Sequence, residues 1–163
     1  QELFEATQHK LYMLCLDWQM AFDKLSHTGL INSLRRLNVP AHYLNIIKDL
    51  YTNATFQVRD GNYTSKTHQQ SSGIRQGCPL SPYLFILFLT VMMHDVRNDV
   101  TQKLETTPHL HSTKDPLFDL EYADDILIMT RSKHSLETIL HALETRAAHY
   151  GMMINKTNLK PAT

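Results

Sequence analysis

Two adjacent aspartates, Asp124 and Asp125, in Tyr122-Ala123-Asp124-Asp125, follow the alternating stretch Leu117–Glu121 and precede the apolar stretch Ile126–Met129. Short runs of these kinds on both flanks predict two strands, with the carboxylates at or beside a tight hairpin turn. Carboxylates fixed on a rigid turn are oxygen ligands for hard divalent cations. Asp17 ends a third apolar stretch, Lys10–Leu16. A third carboxylate completes a two-metal site of the kind that serves phosphoryl or nucleotidyl transfer, with ions about 3.5–4 Å apart. Each acid alone reads as an ordinary turn or cap residue. The three together, all at strand ends, point to chemistry, and Asp17 and Asp124 are expected to approach closely enough to share metals.

The elements that must hold these acids follow from the pattern. In Lys10–Asp17 both Leu11, Met13, Cys15 and Tyr12, Leu14, Leu16 are apolar. A strand apolar on both faces is predicted to be central and covered on each side, with Cys15 a buried free thiol. Leu30, Ile31, Leu34 and Leu37 mark a helix that Pro40 ends. Tyr43, Leu44, Ile47, Leu50 and Tyr51 mark the apolar face of the next. Thr55–Arg59 and Tyr63–His68 form a predicted hairpin around Asp60-Gly61-Asn62. A long helix is predicted from Pro82 to about Lys103, with Ser81 as N-cap. Another carries Leu136, Ile139, Leu140, Leu143 and Tyr150, closes at Gly151, and leads to a last strand over Met152–Asn155. Hairpins interleaved with helices argue an α+β fold, an antiparallel sheet backed by helices.

Composition sets outer limits. The chain has 163 residues, 42% of them hydrophobic, and 16 basic residues balance 16 acidic ones. That is enough for one domain with a real core. Zero net charge gives no bulk attraction to a polyanion but leaves room for a local basic channel. Two cysteines form no disulfide framework, which suits a reducing, intracellular setting. The longest apolar run, Tyr83–Met93, is too short to span a bilayer, so no membrane partner is expected.

A third segment is Ser72-Gly73-Ile74-Arg75-Gln76-Gly77-Cys78-Pro79-Leu80-Ser81-Pro82. Two glycines, two prolines and a serine make a structured loop entering a helix, and Arg75 near a helix start suits an anion. Together, Leu16-Asp17-x-x-x-Ala21-Phe22-Asp23, Gly73-Ile74-Arg75-Gln76-Gly77-x-Pro79-Leu80-Ser81-Pro82 and Tyr122-Ala123-Asp124-Asp125 resemble the successive core motifs of reverse transcriptases. The resemblance is to non-LTR (LINE-type) retrotransposon enzymes, with group II intron enzymes next, and runs in order from about Leu11 to Asn155.

The resemblance implies a polymerase palm with part of the fingers, a single domain over residues 1–163 cut from a longer polyprotein. It implies RNA-directed DNA synthesis by two-metal transfer of deoxynucleotides (dNTPs) onto a primer 3′-hydroxyl. Asp17, Asp124 and Asp125 would hold two Mg²⁺ ions, with Mn²⁺ as a substitute. Phe22, five residues after Asp17, would lie under the incoming sugar and collide with a 2′-hydroxyl. Without the resemblance, Phe22 reads as a core aromatic. Arg75, Gln76, Gly77 and Tyr122 would contact nucleotide and template.

Implied partners are an RNA template with a DNA or RNA primer, and the fingers, thumb and endonuclease parts of a parent polyprotein. The nucleus is implied for a eukaryotic element. In Gly151–Asn158, Asn158 stands where the family has Lys. Lys156 and Lys160 are then the candidates for protonating the leaving pyrophosphate. The chain alone is expected to extend primers poorly. The alternative is a non-catalytic remnant of a retroelement that keeps the fold or RNA binding.

Overall fold

The computed structural model describes residues 12–105, 118–122, 125–130, 132–155 and 160–162, with side chains described for those outside 104–105, 118–122 and 160–162. Its centre is a four-stranded antiparallel sheet of order β6-β7-β1-β8, formed by β1 (Tyr12–Leu16), β6 (Phe118–Tyr122), β7 (Asp125–Thr130) and β8 (Lys160–Ala162). The register runs from Tyr12↔Thr130 to Leu16↔Ile126, and β6 pairs with β7 from Phe118↔Met129 to Tyr122↔Asp125. β1 is central, as its composition predicts. Only one of its faces is covered. Leu14, Leu16, Ile126, Ile128 and Thr130 point into the core, whereas Cys15 is exposed and Met13 half-buried. The expectation of a strand covered on both sides, with a buried Cys15, is therefore corrected. Period-two alternation sends the odd residues to the open face whatever their polarity.

Five helices complete the described chain: α1 (Ala21–Lys24), α2 (His27–Arg36), α3 (Ala41–Tyr51), α4 (Ser81–Glu105) and α5 (Lys133–His149). α5 packs on β1, β7 and α4, and α2 packs on α4 and α3. α4 is the central rod. Leu84, Phe85, Phe88, Leu89, Met92, Met93, Val96 and Val100 are buried along it. Each such large apolar side chain contributes about 1.5–3 kcal/mol on burial. Ser26 caps α2 by accepting from Gly29 N–H at 3.3 Å, and Ser132 caps α5 by accepting from Ser135 N–H at 3.0 Å. Asn38, at φ 57°, turns the chain out of α2 ahead of Pro40. Gly151, at φ 76°, turns it out of α5 as predicted.

Four further expectations are adjusted. Ser81 does not accept as a cap; it is the first residue of α4, and its hydroxyl donates to Arg75 O at 2.6 Å. On α3, Ile47 and Tyr51 are buried but Tyr43 and Leu50 are exposed, and Leu37 past α2 is exposed too. The predicted hairpin forms as two short pairs, β3 (Arg59–Asp60) with β4 (Tyr63–Thr64) and β2 (Thr55–Phe56) with β5 (His68–Gln69). Met152–Asn155 makes only the isolated bridge Trp18↔Ile154; the edge strand beside β1 is β8 instead. Among the described residues, no helix is long and apolar enough to cross a membrane.

Two forked ion pairs lock the helices behind the sheet. Arg36 on α2 grips Asp95 on α4, with Nη1 to Oδ2 at 2.6 Å. Arg146 on α5 grips Asp99 on α4, with Nε to Oδ2 at 2.6 Å. Hydrogen bonds from Arg36 and from Arg146 hold Asp95 and Asp99, respectively, below the usual carboxylate range. A carboxylate depressed in the folded state stabilises the fold fully above its unfolded value, about 3.9, and loses that contribution as pH falls through the folded value. The melting temperature is thus expected to fall on acidification below about pH 4, and Asp99→Asn to flatten that slope while lowering stability at neutral pH. Thermal melts across this range, showing parallel slopes for the two proteins, would remove the ion pair from the account.

Candidate active site at the end of the central sheet

Asp17 follows directly on β1. The β1–β7 register pairs Leu16 with Ile126, so one further step sets Asp17 opposite Asp125. Residues opposite each other on antiparallel strands carry Cβ atoms about 4.5–5.5 Å apart on one face. Since Leu16 and Ile126 face the helices, the pleat turns Asp17 and Asp125 to the open face. Asp17 is half-buried and Asp125 exposed.

The other flank of Asp17 is held by the segment after α5. Gln19 N–H donates to Met153 O at 2.8 Å and Asn155 N–H to Asp17 O at 2.8 Å. The Asn155 side-chain Nδ2 also donates to Asp17 Oδ2 at 3.2 Å. A row Asn155–Asp17–Asp125 thus crosses three chain segments. The carboxylate oxygens of Asp17 and Asp125 are donors of the kind that hard cations such as Mg²⁺ take. Among the described residues, no three His, Cys, Asp or Glu gather around one point.

A second set of predicted residues converges beside α1. Phe22 lies half-buried, its ring stacked on Phe85 with centroids 5.0 Å apart. It lines an open cleft of about 520 Å³ with Arg75, Gln76, Gly77, Cys78 and Pro82. The packing role and the cleft-lining role therefore belong to the same side chain. Backbone contacts fix the loop that carries Arg75 and Gln76. Gly73 N–H donates to Leu25 O at 2.8 Å and Ile74 N–H to Phe22 O at 2.6 Å, and the Ser72 hydroxyl donates to Asp23 O at 3.0 Å. Gln76 Nε2 then donates to Asp23 Oδ1 at 3.1 Å. Arg75 Nη2 reaches back to Leu50 O at 3.3 Å. Beyond Gln76 a wider groove, about 710 Å³, runs past Asp23, Phe56, Gln69 and Gln70 toward the β2–β5 pair. The Cys78 thiol is pulled below its ordinary value, first by the Leu80 backbone N–H.

The remaining predicted residues are placed in part. Tyr122 ends β6, opposite Asp125. Lys160 pairs with Cys15, two residues before Asp17. Asp124 and Lys156 lie outside the described residues, as does Asn158, so the expected approach of Asp17 to Asp124 does too. Sequence reasoning missed Asn155 and Asp23 as partners of site residues. Asp23 stood inside the first motif and Asn155 inside the last predicted strand, but contacts across 138 and 53 positions leave no local signal.

A family model described as reverse transcriptase (RNA-dependent DNA polymerase) matches residues 1–160. The chain belongs to the reverse transcriptase family. It is 30% identical over 159 residues to the RNA-directed DNA polymerase from the mobile element jockey of Drosophila melanogaster, covering 93% of this chain and 16% of that protein. It is 26% identical over 142 residues to the Pol polyprotein of the R2 element of Nasonia vitripennis, covering 87% of this chain and 13% of that one. The chain therefore spans about one sixth or less of these non-LTR retrotransposon relatives.

Solved structures similar to this reverse transcriptase domain include apo telomerase from Candida tropicalis, with a TM-score of 0.71 at 16% identity over 98% of this chain and 29% of that one. Telomerase from Candida albicans, in complex with a fragment of telomeric RNA, gives 0.69 at 18% identity over 99% of this chain and 28% of that one. At that identity the likeness carries the α+β palm-and-fingers fold. The sheet end bearing Asp17 and Asp125, and the cleft bearing Phe22 and Gln76, are the two features that the reverse transcriptase palm here holds in place.

Proposed function

We propose that this chain is the catalytic palm of a non-LTR retrotransposon polymerase that adds deoxynucleotides to a primer 3′-hydroxyl on an RNA template. The observation that carries the reading is the match of the reverse transcriptase family across residues 1–160, in a chain whose β1–β7 register brings Asp17 level with Asp125. Asp17, Asp124 and Asp125 hold the metal ions, Mg²⁺ or Mn²⁺. Divalent cations held there would supply a lowered pKa for the attacking hydroxyl and charge neutralisation for the triphosphate. The chain's own part is positioning. Phe22 presents its ring to the sugar, braced from behind by Phe85. Gln76, held by Asp23, faces the nucleotide and template. Arg75 adds a cation for the phosphates. Base pairing with the template supplies sequence fidelity.

Other parts of the polyprotein complete the fingers and thumb. An RNA partner accords with the telomerase neighbour solved with telomeric RNA. The deciding test is primer extension on an RNA template by the polypeptide that contains these residues, with magnesium and all four deoxynucleotides. Extension dependent on both template and magnesium is expected. RNA binding without any extension would make the domain a remnant that keeps the fold.

The sugar contact gives a sharper expectation. Phe22→Ala is expected to relax discrimination against ribonucleotides at least tenfold, or about 1.4 kcal/mol of differential transition-state binding. The readout is the ratio of kcat/KM for a deoxynucleotide and its ribonucleotide. Unchanged discrimination would reduce Phe22 to its packing against Phe85.

A further inference from the structure

We infer that Asn155 is a positioning residue for the metal-binding carboxylate of Asp17, an inference that rests on the two-metal reading above. Three observations carry it. The first is register. Gln19 N–H to Met153 O and Asn155 N–H to Asp17 O bracket the Trp18↔Ile154 bridge, so Asn155 is the residue directly across from Asp17. The second is the side chain. Asn155 Nδ2 donates to Asp17 Oδ2 at 3.2 Å. A carboxylate only accepts, so the amide nitrogen and not the amide oxygen must face it. The third is anchorage. Met152 and Ile154, on either side of Met153, are buried in the core at 1% and 8% exposure. Met152 N–H is held by Ala147 O at 2.9 Å. Asn155 therefore meets Asp17 from a fixed backbone.

The chemistry follows from what surrounds Asp17. On the β7 side stands another acid, Asp125, level with Asp17 in the strand register. On the opposite side stands a neutral donor. A terminal carboxylate torsion is broad and two-fold, so a donor on one oxygen selects its orientation. A neutral amide does this without bringing a positive charge that would compete with a cation. Lysine at this position would donate as well, but it would also repel the ion. Donors behind a ligand typically contribute a factor of about 10–100 to metal affinity.

Tryptophan gives a readout independent of catalysis. Trp18 is the single tryptophan of the 163 residues and is adjacent to Asp17. Terbium, a hard trivalent probe for oxygen-ligand sites, is to be titrated into the full chain and its Trp-sensitised emission recorded, with magnesium competition giving the magnesium affinity. Asn155→Leu keeps the branching at Cγ and removes the donor. It is expected to weaken both cations about tenfold or more, and Asn155→Gln, which retains an amide donor, to recover part of the loss. Melting curves without metal run alongside. A merely structural role would lower the melting temperature and leave cation affinity in place. If Asn155→Leu does not fold, Asn155→Gln against parent carries the comparison, with an intermediate affinity expected.

Asp17→Asn separates the two levels of the argument. If it abolishes sensitised binding while Asn155→Leu and Asn155→Gln bind as the parent does, the positioning role is overturned and the metal site stands. If Asp17→Asn itself binds terbium and magnesium like the parent, the metal site is overturned, and the role of Asn155 with it.

Discussion

Replacing Asp17 by Asn is expected to reduce primer extension about a thousandfold or more, equivalent to about 4 kcal/mol of transition-state stabilisation. The substitution is nearly isosteric. An amide oxygen at position 17 still accepts from Asn155 Nδ2, and the backbone bond from Asn155 N–H to residue 17 O is untouched, so the row across the sheet end survives. What disappears is one negative charge among acids that face the same side. Folding is therefore expected to be unharmed, and the repulsion with Asp125 to be relieved. Binding of primer and template, which does not depend on this charge, is expected to persist. Single-turnover extension, with melting curves and template binding measured on the same preparations, separates these effects. Extension within tenfold of the parent would remove Asp17 from the proposed metal site and leave the family membership without its chemistry in this chain.

Much of this site was legible because its parts are local in sequence. The apolar runs before Asp17 and around Asp124-Asp125 announce strands ending in acids, and the register from Tyr12↔Thr130 to Leu16↔Ile126 brings two of those ends level. Phe22, Arg75, Gln76 and Gly77 were expected near one ligand and line one cleft. Other features were not legible, for definable reasons. Alternation cannot say which face of a strand is covered when both faces are apolar, so the pattern predicts a buried Cys15 where the thiol is exposed. The same ambiguity affects α3, where Tyr43 and Leu50 look like core and face solvent.

Ser81 precedes a proline in a cap-like string, yet it turns its hydroxyl to Arg75 O. A hydroxyl that can donate or accept is assigned by its neighbours, not by its position. β8, with Pro161 in it, carries no strand signal, because an edge strand beside β1 requires only part of a ladder. Asn155 and Asp23 are polar residues whose partners are distant in sequence, and no periodicity encodes a contact of that kind.

The other large effect belongs to a residue with no side chain. Gly73 has φ 83°, and a Cβ built there would stand 2.7 Å from the Asp23 Cα, the Asp23 carbonyl oxygen and the Phe22 carbonyl oxygen. All three are backbone atoms of α1, so no side chain can swing aside. The loop cannot retreat cheaply either. Moving it breaks Gly73 N–H to Leu25 O, Ile74 N–H to Phe22 O and the Ser72 hydroxyl to Asp23 O, and it draws Ile74, 1% exposed, from the core. A side chain held at that φ costs about 1–3 kcal/mol by itself. With the collision added, Gly73→Ala is expected to lose about 3 kcal/mol or more, near the upper end for a single substitution.

Gly61 is the internal control. Its φ of 56° is also positive, but nothing stands within 4 Å of a Cβ there, so Gly61→Ala is expected to cost only the backbone term, about 1–2 kcal/mol. Denaturant midpoints of the two variants measure the difference, and equal losses would show that the loop yields freely around α1. The consequence reaches the cleft as well. Gln76 is held through Asp23, the residue the new methyl group would strike. Where Gly73→Ala still folds at low temperature, extension is therefore expected to fall further than the folded fraction alone accounts for.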